Sequence, residues 1–149
     1  MPKSTMHVIL LSFVISLPCV SVVKAQKAKC LDAQTTGAQE ECANTQLKAA
    51  EAEMHEALKT ALKSFTSGKE DSTALQQFDK NQQFQWKKRM QKDLVMSQEA
   101  WLIYRRASSG AVNDSYENGS STGVAVTACM TELTSAREKF LKDNFLQGQ

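Results

Sequence analysis

Proline is missing from all but the first residues of this 149-residue chain: its two copies are Pro2 and Pro18. Nothing beyond Pro18 therefore breaks a helix by removing a backbone N–H. Histidine is nearly as scarce, with only His7 and His55, so no histidine cluster can hold zinc. Three cysteines with His55 would meet the ligand count, but neither C-x-x-C nor H-x-x-x-H spacing occurs. There is no G-x-S-x-G elbow and no glycine-rich phosphate loop. Strand-like alternation is confined to Gly123-Val124-Ala125-Val126, too short to found a sheet. Carboxylates such as Glu51, Glu53 and Glu56 lie in a Glu/Lys-rich helical pattern, as a solvated face does. These absences argue against an enzyme, a metal and a cofactor.

Long apolar runs are also lacking. The longest, Val8 to Leu17, falls short of the about 20 residues a membrane span needs and is cut by Pro18. With Lys3 before it and Val23-Lys24-Ala25 after it, the run reads as a cleavable signal peptide over residues 1–25. The expected product is an exported single domain, residues 26–149, in the periplasm or outside the cell, without stable membrane insertion. The whole chain has 18 basic and 16 acidic residues; losing Lys3 and Lys24, and no acid, leaves 16 of each. A nucleic-acid binder would carry a basic surplus.

What is present is helical period. Ala43, Leu47, Ala50, Met54, Leu58, Ala61 and Phe65 recur at steps of three and four behind a candidate capping box at Thr36-x-x-Gln39. A second start at Asp71-Ser72 leads into Leu75, Phe78, Trp86, Met90, Leu94, Trp101 and Tyr104, with Gln82 and Gln98 completing the stripe. This is one long helix or two broken near Asp93. Ser108 to Ser121, rich in Ser, Gly and Asn, reads as the longest irregular stretch. A last helix opens around Ser121 or Thr122 and carries Ala125, Cys129, Leu133, Ala136 and Phe140. Glu40 to Glu56 holds five acids and one lysine, whereas Lys80 to Arg106 holds seven bases and two acids. An acidic helix antiparallel to a basic one follows. The fold class is all-α, a small antiparallel bundle of three to four helices tethered by a disulfide.

Once the leader is discarded, Cys30, Cys42 and Cys129 remain. Export favours a disulfide, and an odd count leaves one sulfur over. Cys30–Cys42 would close a local loop, and either alternative would tie Cys129 to the N-terminal segment. The local pair is the one expected, with Cys129 unpaired or an alternative partner.

Two tracts stand out as candidate sites. Gln98, Trp101 and Arg105 share one helical face next to Tyr104 and Arg106. Structurally, Trp101 would fill the core and Arg105 would support a neighbouring acid; functionally, the group is a Trp/Tyr/Arg hot spot for a protein. The loop from Ala107 to Ser121, with Tyr116, Glu117, Asn118 and Gly119 at its tip, could enter a partner's cleft. His55, beside Glu56, reads as a surface histidine.

Taken together these tracts resemble the bacterial LprI-type lysozyme-inhibitor family of small secreted helical domains. The likeness is carried by Cys30, Thr36-Gly-Ala-Gln39-Glu-Glu-Cys42-Ala43 and Ala50-Glu-Ala-Glu-Met54-His-Glu-Ala-Leu58. It continues through Gln98-Glu-Ala-Trp101-Leu-Ile-Tyr104-Arg105-Arg106, Asn118-Gly119-Ser120, Cys129 and Leu133-Thr134-Ser-Ala-Arg137-Glu-Lys-Phe-Leu141. Where the family has Arg-Asp and a further cysteine, this chain has Arg105-Arg106 and Ser108-Ser109; the missing cysteine accounts for the odd count. The resemblance implies inhibition of a lysozyme or other cell-wall hydrolase by obstruction of its cleft. The alternative is a cell-envelope structural or interaction module with no inhibitory activity. A monomer is expected rather than a dimer.

Overall fold

The computed structural model describes residues 30, 33–66, 79–116 and 119–146. The proposed signal peptide, the helix start expected at Asp71-Ser72, and Glu117 and Asn118 lie outside the described residues. Three helices follow one another: α1 Thr36–Ser64, α2 Lys80–Ser115 and α3 Thr122–Phe145. Among the described residues there is no strand.

The start of α1 is capped one residue earlier than the Thr36 box. Thr35 Oγ1 accepts from the Ala38 N–H at 3.2 Å, and the Gln39 amide donates outward to the Ala33 carbonyl at 3.1 Å. A reciprocal capping box opens α2: Asp79 Oδ1 accepts from the Gln82 N–H at 2.9 Å and Gln82 Oε1 from the Asp79 N–H at 3.2 Å. The Thr35 cap and the Asp79–Gln82 box satisfy donors that the first helical turn leaves without partners.

From Lys80 the second helix runs 36 residues without a break at Asp93. It also takes in Ser108 to Ser115, where the composition predicts a loop. Weak helix formers are held there by packing and local bonds. Ser109 is buried, Val112 packs on Cys129 and Leu133, and the Ser109 and Ser115 hydroxyls donate to the Arg106 and Val112 carbonyls. The connection to α3 is thereby reduced to a tight turn. The Gly119 N–H donates to the Tyr116 carbonyl at 2.9 Å and the Thr122 N–H to the Gly119 carbonyl at 2.9 Å.

The order is up-down-up. Glu40 of α1 meets Gly123 of α3, and Phe65 meets Phe145 with ring centroids 6.0 Å apart, so α1 and α3 run parallel. Antiparallel α2 pairs Gln91 with Leu62 and Arg105 with Glu51. The closest pair is α1 with α3, for a compositional reason. The buried line of α1 is Ala43, Ala50, Met54, Ala57 and Ala61, and α3 brings Val124, Ala125, Ala128 and Cys129. Small side chains on both surfaces let the backbones come together. At Gly123 the Glu40 side chain lies directly against the backbone of α3, where an added Cβ would stand 2.9 Å from Glu40 Oε1. Helix α2 stands off on longer side chains.

Lying between two neighbours widens the buried face of α3 beyond a single stripe. Thr131, Thr134, Arg137 and Leu141 are buried. Ala136 is exposed and Phe140 is 45% exposed, although the sequence stripe includes both. The main cluster joins Met54, Ala57, Ala61, Leu94 and Leu141, with Leu58, Phe65, Trp101 and Phe145 around it. A smaller one, Cys129 and Leu133 with Val112, fills the end near the α2–α3 turn.

That thin end is stapled. Cys30 and Cys42 form a disulfide with Cα atoms 5.7 Å apart. Cys129, expected unpaired or as an alternative partner, is fully buried, and among the described residues no cysteine is free.

Because Leu141 has no exposed surface, Leu141→Ala is expected to lower stability by roughly 2–5 kcal/mol. Urea unfolding should show this as a lower midpoint at unchanged slope. A loss below about 1 kcal/mol would place the end of α3 outside the core.

Candidate functional site

The Gln98, Trp101 and Arg105 spacing puts all three on the side of α2 that faces its neighbours. The Arg105 guanidinium is 5.0 Å from the centre of the Trp101 ring. Its Nη1 donates to Glu51 Oε1 at 2.8 Å and to Thr134 Oγ1 at 3.0 Å, joining α2 to both other helices. The Thr134 hydroxyl in turn donates a hydrogen bond to the Met130 carbonyl at 2.7 Å. One turn away, Gln98 Oε1 accepts from Arg137 Nε at 3.0 Å, and Gln98 Nε2 lies 3.4 Å from Met54 Sδ. Arg137 Nη2 donates to Ser97 Oγ at 2.6 Å, and the guanidinium lies over the Phe140 ring at 5.2 Å.

This polar seam is built around two arginines of different character. Arg105 has a carboxylate partner and its side chain is 14% exposed. Arg137 is buried, with its described hydrogen bonds going to neutral oxygens, and loss of water pulls its pKa below the usual guanidinium value. Each seam group holds another in place. The seam brings no nucleophile to a base, and among the described residues there is no group of three or more metal-ligating side chains.

The residues singled out in the sequence divide between two places. Trp101 is half-buried against the main cluster and Arg105 is in the seam. Tyr104, one residue away on the helix, is 46% exposed. Tyr116 closes α2, half-buried, and Gly119 is exposed in the turn beyond it. Trp101 and Arg105 are thus in contact, and Tyr116 and Gly119 are joined through the turn, but the two pairs do not form one patch. His55 is exposed. Sequence reasoning missed Glu51, Ser97, Thr134 and Arg137 as seam partners. Arg137 had a signal: it stands four residues from both Leu133 and Leu141, in the middle of a buried line.

Charge separates along the bundle axis. At the end with the α2–α3 turn stand exposed Glu40, Glu41 and Asp114, and no lysine or arginine occurs in residues 33–47 or 107–136. Glu40 lies over the first turn of α3, where the helix dipole favours an anion. Partway along α3, Glu132 has one carboxylate oxygen enclosed without a hydrogen-bond partner, and burial pushes its pKa up. The far end carries Lys59, Lys63, Lys80, Lys87, Lys88, Lys139 and Lys142, three of them ion-paired with acids of the same end: Lys59 with Glu56, Lys139 with Asp143 and Lys142 with Glu138.

The family model for lysozyme inhibitor LprI matches residues 27–141, nearly all of the bundle. The chain belongs to the LprI lysozyme-inhibitor family. No curated protein and no solved structure matches it. Within this LprI-family chain the matched span takes in the Cys30–Cys42 staple, the whole polar seam and the acidic turn end.

Removing one seam partner strands the others. Arg137→Met should destabilise by roughly 1–3 kcal/mol through the unsatisfied Gln98 and Ser97 groups, and adding Gln98→Met should recover part of that loss. If the double variant is as unstable as the sum of the two singles, the groups do not act as a unit. Glu132 gives a pH signature. With its folded pKa above the unfolded one, the native state holds the extra proton, and stability falls as pH rises from the unfolded value of 4.5 through the folded one. Glu132→Gln should therefore raise the neutral-pH melting temperature and flatten this decline; a lower melting temperature would mean that the ionised carboxylate has a partner.

Proposed function

We propose that this protein is exported behind a signal peptide at residues 1–25. In the periplasm or outside the cell it inhibits a lysozyme-type cell-wall hydrolase by binding and obstructing its cleft, without catalysis of its own and as a monomer. Membership of the LprI family supports inhibition as the activity. The observation that supports a particular surface is the turn end, where the charged side chains among the described residues are acidic: Glu40, Glu41 and Asp114. A basic hydrolase is steered to such an end by complementary potential. Tyr116 and Gly119, with Glu117 and Asn118 of the same tract taken from the sequence, are assigned to the cleft contact. Tyr104, exposed on the same helix, extends the contact, while Trp101 and Arg105 support it from within the bundle.

The reading is tested by lysis of peptidoglycan with stoichiometric exported protein and several lysozyme types. Inhibition of at least one basic lysozyme is expected. Glu41→Lys with Asp114→Lys should weaken inhibition roughly tenfold or more at low ionic strength, the loss shrinking as salt is added. Undiminished lysis by every enzyme would leave the alternative, an envelope interaction module with no inhibitory activity.

A further inference from the structure

The side of α2 turned away from the bundle carries most of the large exposed apolar side chains among the described residues. Phe84 is 62%, Val95 43%, Met96 54%, Leu102 42% and Ile103 71% exposed. Their spacing is ordered. Phe84, Val95 and Leu102 follow at steps of eleven and seven, and Met96 and Ile103 at seven, so they form two rows along the helix. Between the rows run Lys88, Lys92, Glu99 and Arg106 at steps of four, seven and seven, all exposed, with Arg89 at the margin. The face is apolar and net basic over a helix of 36 residues, about 54 Å long at 1.5 Å per residue.

Its sign of charge narrows what can cover it. A second copy of the same face would bring Lys88, Lys92 and Arg106 against their own kind. A basic lysozyme is repelled for the same reason, which separates this face from the acidic turn end. The face is also convex, the outside of a single unbroken helix, and a flat deformable surface covers such a shape without a groove. We infer that the outer face of α2 is a docking surface for an anionic lipid bilayer. Phe84, Val95, Met96, Leu102 and Ile103 enter the headgroup–acyl boundary while Lys88, Arg89, Lys92 and Arg106 meet the lipid phosphates. The association is peripheral: no helix among the described residues is long and apolar enough to cross a membrane. In this orientation α1 and α3 face away from the bilayer.

Co-sedimentation with vesicles tests this, using protein recovered after export so that no leader contributes. Binding to vesicles of equimolar phosphatidylglycerol and phosphatidylcholine should exceed binding to phosphatidylcholine alone at least tenfold, and should fall with added salt. Lys88→Gln with Lys92→Gln should reduce partitioning roughly thirtyfold, at about fivefold per lysine. Met96→Ser with Ile103→Ser should abolish most binding while circular dichroism and thermal melting stay as in the parent protein, since neither side chain is in the core. Equal binding to both vesicle types, no binding to either, or variants that bind like the parent would each overturn the proposal. So would a concentration-dependent dimer in sedimentation equilibrium that the Ile103 variant abolishes, since that would assign the face to a second copy. Inhibition of lysozyme is not among these readouts, so the two proposals fail separately.

Discussion

The close approach of α1 to α3 is the constraint on which the remaining structure depends. Alanines at 43, 50, 57 and 61 leave α1 with almost no side-chain thickness on its inner surface, so α3 comes to it backbone to backbone. Small residues bury little apolar area each, and a pair held this way needs support from its surroundings. Three kinds are present: the larger side chains of α2 and the helix ends closing the Met54–Leu141 cluster, the Cys30–Cys42 bridge at the thin end, and the arginine seam across all three helices. Leaning on α3 from the open side, α2 keeps its outer surface free of any structural role.

The seam explains why polar residues interrupt the apolar stripes. Gln98 and Arg137 sit where leucines would be expected, and they hold each other at 3.0 Å. Arg105 reaches Glu51 and Thr134 together. A partnered buried polar group selects one alignment of the helices, because sliding by a turn would strand it. The expected attraction between acidic α1 and basic α2 is realised across the described residues by one ion pair, Arg105 with Glu51. The other ion pairs among the described residues stay within one helix, Lys59 with Glu56, Lys139 with Asp143 and Lys142 with Glu138.

Much of the fold was legible from spacing. The inner line of α1 and the start of α3 follow from apolar residues at steps of three and four, and the antiparallel course of α2 against α1 from the opposite charge of their two tracts. The extension of α2 through Ser108–Ser115 was not, because Ser, Gly and Asn have weak intrinsic preferences and the deciding contact, Val112 on Cys129 and Leu133, is tertiary. The rotation of the buried face of α3 from Ala136 and Phe140 toward Arg137 and Leu141 was hidden too. A stripe read from one sequence assumes one neighbour, and α3 has two. Of the candidate site, the Trp101–Arg105 contact could be read from i, i+4 spacing. The acidic end could not, since it is assembled from residues at opposite ends of the sequence.

Parallel packing of the first helix on the last also orders events in time. The best-fitting surfaces belong to segments separated by nearly the whole described chain, so the intimate contact cannot form until α3 has emerged. On the proposed export, a chain entering the channel from its N-terminus would carry α1 with an alanine-rich face and no mate, short of the core it is built for. Late closure of this kind keeps a nascent polypeptide threadable and postpones compaction to the far side of the membrane, where oxidation can then fasten Cys30 to Cys42.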